Sequence, residues 1–286
     1  MLRRRLAEQP VSRLAVWSRR VALFSLAATL IAVIIVRSGA LDIVPALSTL
    51  AGALVLAVIA MLLALAAGVV IWRDGTGGLQ QALGGFIVGL ALIAYPLYLG
   101  VKAYRLPAIY DVTTDPIDPP RFEAIARLRP RDANPITYAG LYAAELQHTA
   151  YADIEPDLTD SSPLEAYNAA LKIITKRKWH IVDARPPQPA PAREGRIEAI
   201  ARTMILGFRD DVVVRVRATP EGARIDVRSA SRYGRHDLGG NAARVRALIE
   251  DIDDTLAVHG PEKPEKPEKK SAPKGNQPGK GTSAKR

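Results

Sequence analysis

The chain has 286 residues, a net charge of +10 and no cysteine, which excludes disulfides, thiolate metal sites and cysteine nucleophiles. Much of the positive charge lies at the two ends, because six arginines fall in the first twenty residues and residues 259–286 carry +5. Elsewhere basic and acidic residues alternate, and aromatic residues make up only 6% of the chain, so the composition argues against nucleic-acid binding.

Three long uncharged runs follow the arginine-rich leader, residues 1–20. They are residues 21–36, 43–72 and 75–101. The first run, about 24 Å long as a helix, is slightly short for a bilayer core of roughly 30 Å, but Arg20 and Arg37 can reach the interface from its ends. Because no ionisable side chain lies within a run, the sequence predicts a three-span membrane anchor, residues 21–101, rather than a transporter or channel.

Two features of these runs have alternative interpretations. The first run, which precedes Ser38-Gly39-Ala40, is also compatible with a cleaved signal peptide, whose removal leaves two spans. Gly85 and Gly89, and likewise Ala64 and Gly68, have the spacing of small residues that lets membrane helices approach closely. Glycine and alanine are, however, common in membrane helices in any case.

Lysine and arginine residues near the span ends indicate the orientation. The six arginines of the leader and Arg73 lie on one side of the membrane. Four basic residues lie on the other side: Arg37, Lys102, Arg105 and Arg121. This excess predicts a cytoplasmic N-terminus in a bacterial inner membrane and a periplasmic domain over residues 104–258.

The soluble part begins with a turn-rich stretch, residues 103–163, that is predicted to be irregular. A helix is then predicted over residues 162–178. Ser162 is its N-cap, Pro163 occupies the first helical position and Glu165 completes a capping box.

A β-hairpin is the clearest strand signal in the chain. In residues 211–217 and 224–229 apolar residues alternate with charged ones, as in strands with one buried and one solvent-facing side. Residues 219–222 supply the turn, with a proline that fixes one backbone angle and a glycine that accepts a positive φ. Two earlier strands are predicted at residues 179–184 and 196–206.

The last predicted helix, residues 238–258, repeats apolar residues at helical spacing, and Asp237 is its N-cap. Together these elements predict an α+β domain, with an antiparallel sheet of about four strands and two helices on one face. Residues 259–286, rich in proline, glutamate and lysine, are predicted to form a disordered tail. The tail is either merely solubilising or attaches to an anionic surface.

Polar residues at the end of the hairpin and the start of the last helix form the candidate site. Backbone N–H groups at the helix start, together with arginines, favour an anionic ligand. A structural alternative is ion pairing on the solvent-facing side of the sheet, and a third interpretation is catalysis by two aspartates. The candidate ligand- or partner-binding residues are Asp211, Asp226, Arg228, Ser231, Arg232, Tyr233, Arg235, Asp237 and Asn241.

Motifs of common enzymes are missing from the chain, which has no Walker A loop, no HExxH and no convincing GxSxG elbow. Its four histidines, His148, His180, His236 and His259, lack the spacing of metal ligands. The sequence therefore predicts no cofactor and no metal.

The residues of the hairpin and its neighbours resemble a bacterial and plastid family known as domain of unknown function 1499. Asp226-Val-Arg-Ser-Ala-Ser-Arg-Tyr-Gly234, followed by Asp237-Leu-Gly239-Gly-Asn241 and Arg244, is similar to the family's C-terminal signature. Phe208-Arg-Asp-Asp211 resembles the start of its hairpin. Asp115-x-x-Asp-Pro-Pro-x-Phe122 and Ala150-Tyr-Ala-Asp-Ile154 are similar to its N-terminal motifs. The resemblance, over about residues 104–258, implies an exported or membrane-anchored domain and supplies no activity.

These features predict a membrane-anchored envelope protein whose periplasmic domain is a non-enzymatic binding module. Its partners are the lipid bilayer and either an envelope protein or an anionic ligand. Two alternatives stay open. One is a hydrolase-like enzyme that uses Asp211, Asp226 or His236, and the other is a structural envelope protein whose tail contacts anionic polymers.

Overall fold

The first part of the molecule consists of three long helices. The computed structural model describes residues 10–188 and 194–259. The helices are α1, Arg13–Ser38; α2, Ile43–Asp74; and α3, Leu79–Arg105. All three are long and apolar enough to cross a membrane, which confirms the three predicted membrane helices. Residues 1–9 of the leader, residues 260–286 of the tail and the side chain of His259 lie outside the described part of the chain.

Helix α1 begins at Arg13, eight residues before the uncharged run from which it was predicted. With 26 residues it measures about 39 Å, which exceeds the bilayer core of roughly 30 Å. The helix therefore extends beyond the short uncharged run at both ends. Before α1, the N–H of Ser12 donates to the carbonyl of Gly77 at 2.9 Å, so the leader and the α2–α3 loop lie at the same end of the bundle, as three crossings require.

Small side chains hold the three helices together. The buried residues of α2 are all alanines. Hydroxyl groups of α1 donate to carbonyl groups of α2, Ser18 to Ala60 at 3.1 Å and Ser25 to Ala53 at 2.8 Å. Such contacts need close approach of the helix backbones, which small residues permit.

The two glycines of α3 that were predicted to permit close packing do so, each against a different helix. A Cβ atom on Gly85 would lie 2.0 Å from the Ser18 hydroxyl and 2.9 Å from the backbone of α1. A Cβ atom on Gly89 would lie 2.9 Å from the carbonyl oxygen of Ala57 in α2. A Cβ atom on Gly68 would have no neighbour within 4 Å. The predicted pair Ala64 and Gly68 therefore does not bring another helix close to Gly68.

We expect Gly85→Ala to lower the melting temperature of the full-length protein in detergent by several degrees, because overpacking costs about 1–3 kcal/mol. The adjacent Gly84→Ala is the matched control, since nothing lies within 4 Å of a Cβ atom at that position. Equal melting temperatures for the two variants would show that α1 and α3 do not pack through Gly85.

The soluble domain combines an antiparallel sheet with short and long helices. In the described residues its helices are α4, Leu141–Ala150; α5, Pro163–Lys176; α6, Gly240–His259; and a 3₁₀ helix, Ile125–Arg127. Its strands are β1, Asp111–Thr113; β2, Asp157–Thr159; β3, His180–Arg185; β4, Gly195–Arg202; β5, Arg209–Thr219; and β6, Gly222–Ser231. The strand order is β1-β6-β5-β4-β3, and β2 also pairs with β6. The predicted α+β class is confirmed, with two short strands in addition to the four predicted.

Local signals placed most of these elements correctly. The β5–β6 hairpin pairs Thr219 with Gly222 at its turn and extends both predicted strands by two residues at each end. Ser162 and Glu165 form the predicted capping box of α5. Strand β4 ends at Arg202, earlier than predicted, because the chain turns there. The stretch predicted to be irregular contains the end of α3 together with β1, α4 and β2.

One face of the sheet carries the main hydrophobic core. Helices α5 and α6 both pack on this face, as predicted. The largest fully buried sheet residues of this core are Val112, Ile197, Val212, Val214 and Ile225.

The opposite face was expected to meet solvent, and this expectation is wrong. Residues 114–138 cover it, and Phe122 and Ile125 pack there against Val213 and Ala230. Charged strand residues on this face bind one another or groups of the covering segment instead of water. Those at most 4% exposed are Asp111, Glu198, Asp211, Arg215, Asp226 and Arg228.

Candidate functional site

The loop between β6 and α6, residues 232–239, lies against the end of a membrane helix. The N–H of Leu238 donates to Nδ1 of His236 at 3.1 Å, so the proton of the neutral ring is on Nε2. This Nε2 donates to the carbonyl groups of Ala103 and Leu106, each at 3.0 Å. Ala103 lies in the last turn of α3, and Leu106 is the residue that directly follows the helix. His236 therefore joins the soluble domain to the third membrane helix.

Asp237 and Asn241 fix the other end of this loop. The carboxylate of Asp237 accepts the N–H groups of Gly239 at 2.9 Å and Asn241 at 2.8 Å. It binds the first turn of α6, although the helix begins at Gly240, two residues later than predicted, so that Asp237 is not at the N-cap position. Burial raises the pKa of Asp237, although these two donors oppose the change. The amide of Asn241 donates to the carbonyl of Tyr110 and to the hydroxyl of Ser231. Ser231, Asp237 and Asn241 are thus engaged in holding the helix start.

A cleft of about 230 Å³ opens between this loop and the membrane anchor. It lies where the end of α1 and the start of α2 meet the turn after β4, and we call it the junction cleft. Arg37, near the end of α1, donates to the carbonyl groups of Met204 and Ile205 in that turn. The charged and aromatic residues that line the cleft include Arg37, Asp42, Asp132, Arg209, Arg232 and Tyr233.

Two arginines supply the free positive charge of the junction cleft. Arg209 is exposed, and within the described residues its side chain makes no hydrogen bond or ion pair. Arg37 bonds only to carbonyl groups there. Arg232, in contrast, donates to Asp211 at 2.9 and 2.7 Å. Burial, and then the charge of Asp132, raises the pKa of Tyr233, so its hydroxyl stays protonated at neutral pH and can donate.

The structure does not bring the predicted site residues together as one cluster. The sheet separates those on its covered face, Asp211, Asp226, Arg228 and Arg232, from those at the start of α6, Ser231, Asp237 and Asn241. Tyr233 lines the junction cleft. Arg235 is exposed, and in the described part of the chain its side chain has no hydrogen-bond or ion-pair partner.

The two aspartates considered for catalysis are held in ion pairs. Asp211 is fully buried between Arg129 at 2.6 Å and Arg232 at 2.7 Å. A carboxylate whose oxygens already accept from arginine is a poor general base. Asp226 is also fully buried, and its partners at 2.8–3.0 Å are Arg215, Arg217 and Arg224.

Arg228 ties the covering segment to the sheet. Its guanidinium forms a two-pronged ion pair with Asp111, at 2.9 and 2.7 Å. It also donates to the carbonyl groups of Pro120 at 3.0 Å and Ile136 at 2.8 Å, and lies 4.7 Å from the centre of the Phe122 ring. With its donors satisfied inside the protein, Arg228 has a structural role.

Comparison with known proteins establishes the family. The profile of a family described as "Protein of unknown function (DUF1499)" matches residues 111–252. The soluble domain belongs to this family. The match begins at β1 and ends within α6, so it does not include the three membrane helices. No curated protein and no solved structure matches the chain.

The motifs that carried the resemblance build the framework of the DUF1499 domain. Asp115 accepts the N–H groups of Ile117 and Asp118 in a tight turn and forms an ion pair with Arg224 at 2.7 Å. Phe122, the last residue of that motif, lies under Arg228. These residues attach the covering segment to the sheet.

Glu198 is a buried residue of the DUF1499 domain that the sequence analysis missed. Its carboxylate, 0% exposed, accepts the N–H groups of Glu123 at 2.8 Å, Ala124 at 3.2 Å and Ile125 at 2.8 Å. The only sequence signal is an acidic residue within an apolar strand. Arg37 was also not predicted as a site residue, because no sequence signal joins it to Arg209, far away in the chain.

A larger cleft of about 570 Å³ lies in the DUF1499 domain between α6 and the segment that leads into β2. Burial, and then the charge of Asp157, raises the pKa of Asp253 to about 7. A proton on Asp253 supplies a donor for Oδ2 of Asp157, a buried atom that has no other hydrogen-bond partner among residues 10–188 and 194–259. Among the described residues no group of three or more His, Asp or Glu side chains is placed to hold a metal ion.

The raised pKa of Asp253 predicts a pH-dependent stability. Folding favours the protonated form, so the stability that this group adds is complete below about pH 4 and is lost as the pH rises towards 7. We expect Asp253→Asn to melt about 2–4 °C above the wild type at pH 8, which corresponds to about 1 kcal/mol after solvent screening. At pH 4 the two proteins should melt alike. Asp160→Asn, at an exposed carboxylate, is the control, and an equal gain there would assign the effect to net charge.

Proposed function

We propose that the protein is a membrane-anchored binding module of the bacterial envelope, with its N-terminus in the cytoplasm and its DUF1499 domain in the periplasm. An anionic group of its ligand binds in the junction cleft. The observation that carries this proposal is the pair of arginines, Arg37 and Arg209, which line one cleft without a carboxylate partner among the described residues. Guanidinium groups bind carboxylate and phosphate through paired, charge-assisted hydrogen bonds.

The contacts of the other candidate residues favour binding over hydrolysis. Asp211 and Asp226 are enclosed by arginines on the covered face, and neither lines the junction cleft. His236 is hydrogen-bonded to the end of α3. A general base needs a free lone pair within reach of its substrate, and none of these three groups offers one in the cleft.

Photocrosslinking in living cells tests the binding site. An unnatural photoreactive residue at Tyr233 of the full-length protein is expected to give a discrete adduct, whose mass reports the class of ligand. The adduct should disappear in Arg37→Ala and Arg209→Ala. It should persist in Arg202→Ala, which removes an exposed arginine opposite Arg209 in the sheet. An absent adduct, or one that both cleft variants retain, would reject the proposal.

A topology reporter tests the orientation. An enzyme that is active only outside the cytoplasm should be active when fused after Val258, because the excess of basic residues lies on the leader side. The same reporter fused after Gly75, in the loop between α2 and α3, should be silent. The reverse pattern would place the DUF1499 domain in the cytoplasm.

A further inference from the structure

We propose that the ligand of the junction cleft is the headgroup of a phospholipid that carries a primary amine, bound while the acyl chains stay in the bilayer. This inference rests on the proposed function and names the class of its ligand. Three properties of the cleft support it: its depth in the membrane, the signs of its charges and its size.

The junction cleft lies at the depth of lipid headgroups. Helices α1 and α2, with 26 and 32 residues, measure about 39 and 48 Å. The bilayer core is roughly 30 Å thick, and the bilayer with its headgroup layers roughly 40–45 Å. Arg37 is the last residue but one of α1, and Asp42 directly precedes α2. Both side chains therefore emerge in the headgroup layer.

The cleft carries charges of both signs. Arg37 and Arg209 are its free cations, because Arg232 donates to Asp211, which also pairs with Arg129. Two carboxylates, Asp42 and Asp132, line the same cleft. A simple anion pairs with the arginines alone, whereas a phosphodiester with an ammonium group pairs with groups of both signs. The phosphate belongs at the two guanidinium groups and the ammonium at the carboxylates.

Asp132 lies beside Tyr233 in the junction cleft. Its contact with Tyr233 raises the pKa of the phenol, after the larger effect of burial, so this hydroxyl remains a donor. The hydroxyl can donate to Asp132 or to a phosphate oxygen. Tyr233 thus lies between the position of the phosphate and that of the ammonium group.

The size and lining of the cleft fit part of a lipid. Its volume of about 230 Å³ is below the roughly 300–1,000 Å³ of pockets that enclose a drug-sized ligand. Apolar side chains line its anchor side, among them Val36, Leu41 and Ile43, and Leu41 is 47% exposed. They provide a surface for the glycerol and the first methylene groups, which lead back towards the bilayer.

Lipid retention by the purified full-length protein tests this inference. The protein in detergent is mixed with phosphatidylethanolamine, phosphatidylglycerol or phosphatidylcholine of identical acyl chains, and bound lipid is counted by native mass spectrometry. We expect phosphatidylethanolamine to bind about tenfold more tightly than the other two, because only its ammonium donates charged hydrogen bonds to the carboxylates. Equal or tighter binding of phosphatidylglycerol would overturn the inference.

Matched variants assign the binding to the cleft. The double variant Asp42→Asn with Asp132→Asn should remove the preference for phosphatidylethanolamine over phosphatidylglycerol, while Arg209→Ala should weaken the binding of all three lipids about tenfold. Arg202→Ala is the control and should leave binding unchanged. A preference that survives the double variant would overturn the assignment of the ammonium group.

Soluble glycerophosphoethanolamine separates a lipid from a free ligand. It should bind at least about tenfold more weakly than the intact lipid, because it lacks the methylene groups that contact Leu41 and Ile43. Equal binding would overturn the lipid source and leave the proposed function intact. A non-lipid adduct at Tyr233 would have the same meaning, whereas no adduct and no lipid binding would overturn both.

Discussion

Full-length protein in which Arg228 is replaced by methionine is expected to melt roughly 10 °C below the wild type. The reason is that Asp111, 2% exposed, loses its cationic partner and stays buried as an unpaired charge. Removing one partner of a buried ion pair costs about 3–5 kcal/mol. The carbonyl groups of Pro120 and Ile136 lose their donor at the same time, so the covering segment is released from the sheet.

Thermal melting of the detergent-solubilised protein measures this effect. Arg246→Met is the matched control, because Arg246 pairs with Asp153, whose side chain is 58% exposed, and such surface pairs contribute less than about 1 kcal/mol. The double variant Arg228→Met with Asp111→Leu should recover much of the lost stability, because it leaves no unpaired charge. If the double variant melts no higher than the single one, the ion pair is not the cause.

Replacement of Glu198 by alanine should destabilise the domain by about 3 kcal/mol or more. The carboxylate accepts three backbone N–H groups at the start of the 3₁₀ helix, and each bond to a charged acceptor contributes about 1.5–3 kcal/mol. Without it, the buried N–H of Ile125 has no acceptor. Glu198→Gln, which keeps one carbonyl oxygen, should fall between alanine and the wild type.

The same variant should expose the covering segment to protease. Limited proteolysis near residues 123–127 is expected to be faster in Glu198→Ala than in the wild type, since this segment is held to β4 by the lost bonds. Glu155→Ala is the control, because its side chain is exposed and lies outside the covering segment. Equal cleavage in both variants would contradict a role for Glu198 in holding the segment.

Elements with strong local signals were predictable from the sequence. Alternation and the turn at residues 219–222 fixed the hairpin, the Ser162–Glu165 box fixed the start of α5, and uncharged length fixed the three membrane helices. Helix α4 was missed because Gly140 precedes it without a side-chain cap and Leu141 is 90% exposed. Strands β1 and β2 have three residues each, too few to show a period.

The nature of the second sheet face was not predictable. Alternation in residues 211–217 reports which side chains share a face, and says nothing of what covers that face. The alternation predicts that Arg215 faces solvent. In the structure it pairs at 3.0 Å with Asp118, which is far away in the chain. The junction cleft was hidden for a similar reason, because Arg37 belongs to a membrane helix and Arg209 to a strand. Only the folded chain brings them to one place.

The connection between anchor and domain is short. Five residues, 106–110, separate the end of α3 from the start of β1, and even fully extended they span at most about 18 Å. The hydrogen bonds of His236 to Ala103 and Leu106 restrict the movement of the domain relative to α3 further. The domain therefore stays close to the membrane surface and cannot reach far into the aqueous space beyond it. A membrane-bound partner of residues 232–239 arrives by lateral diffusion along the bilayer, so the abundance that governs its binding is a number per unit of membrane area rather than a concentration in solution.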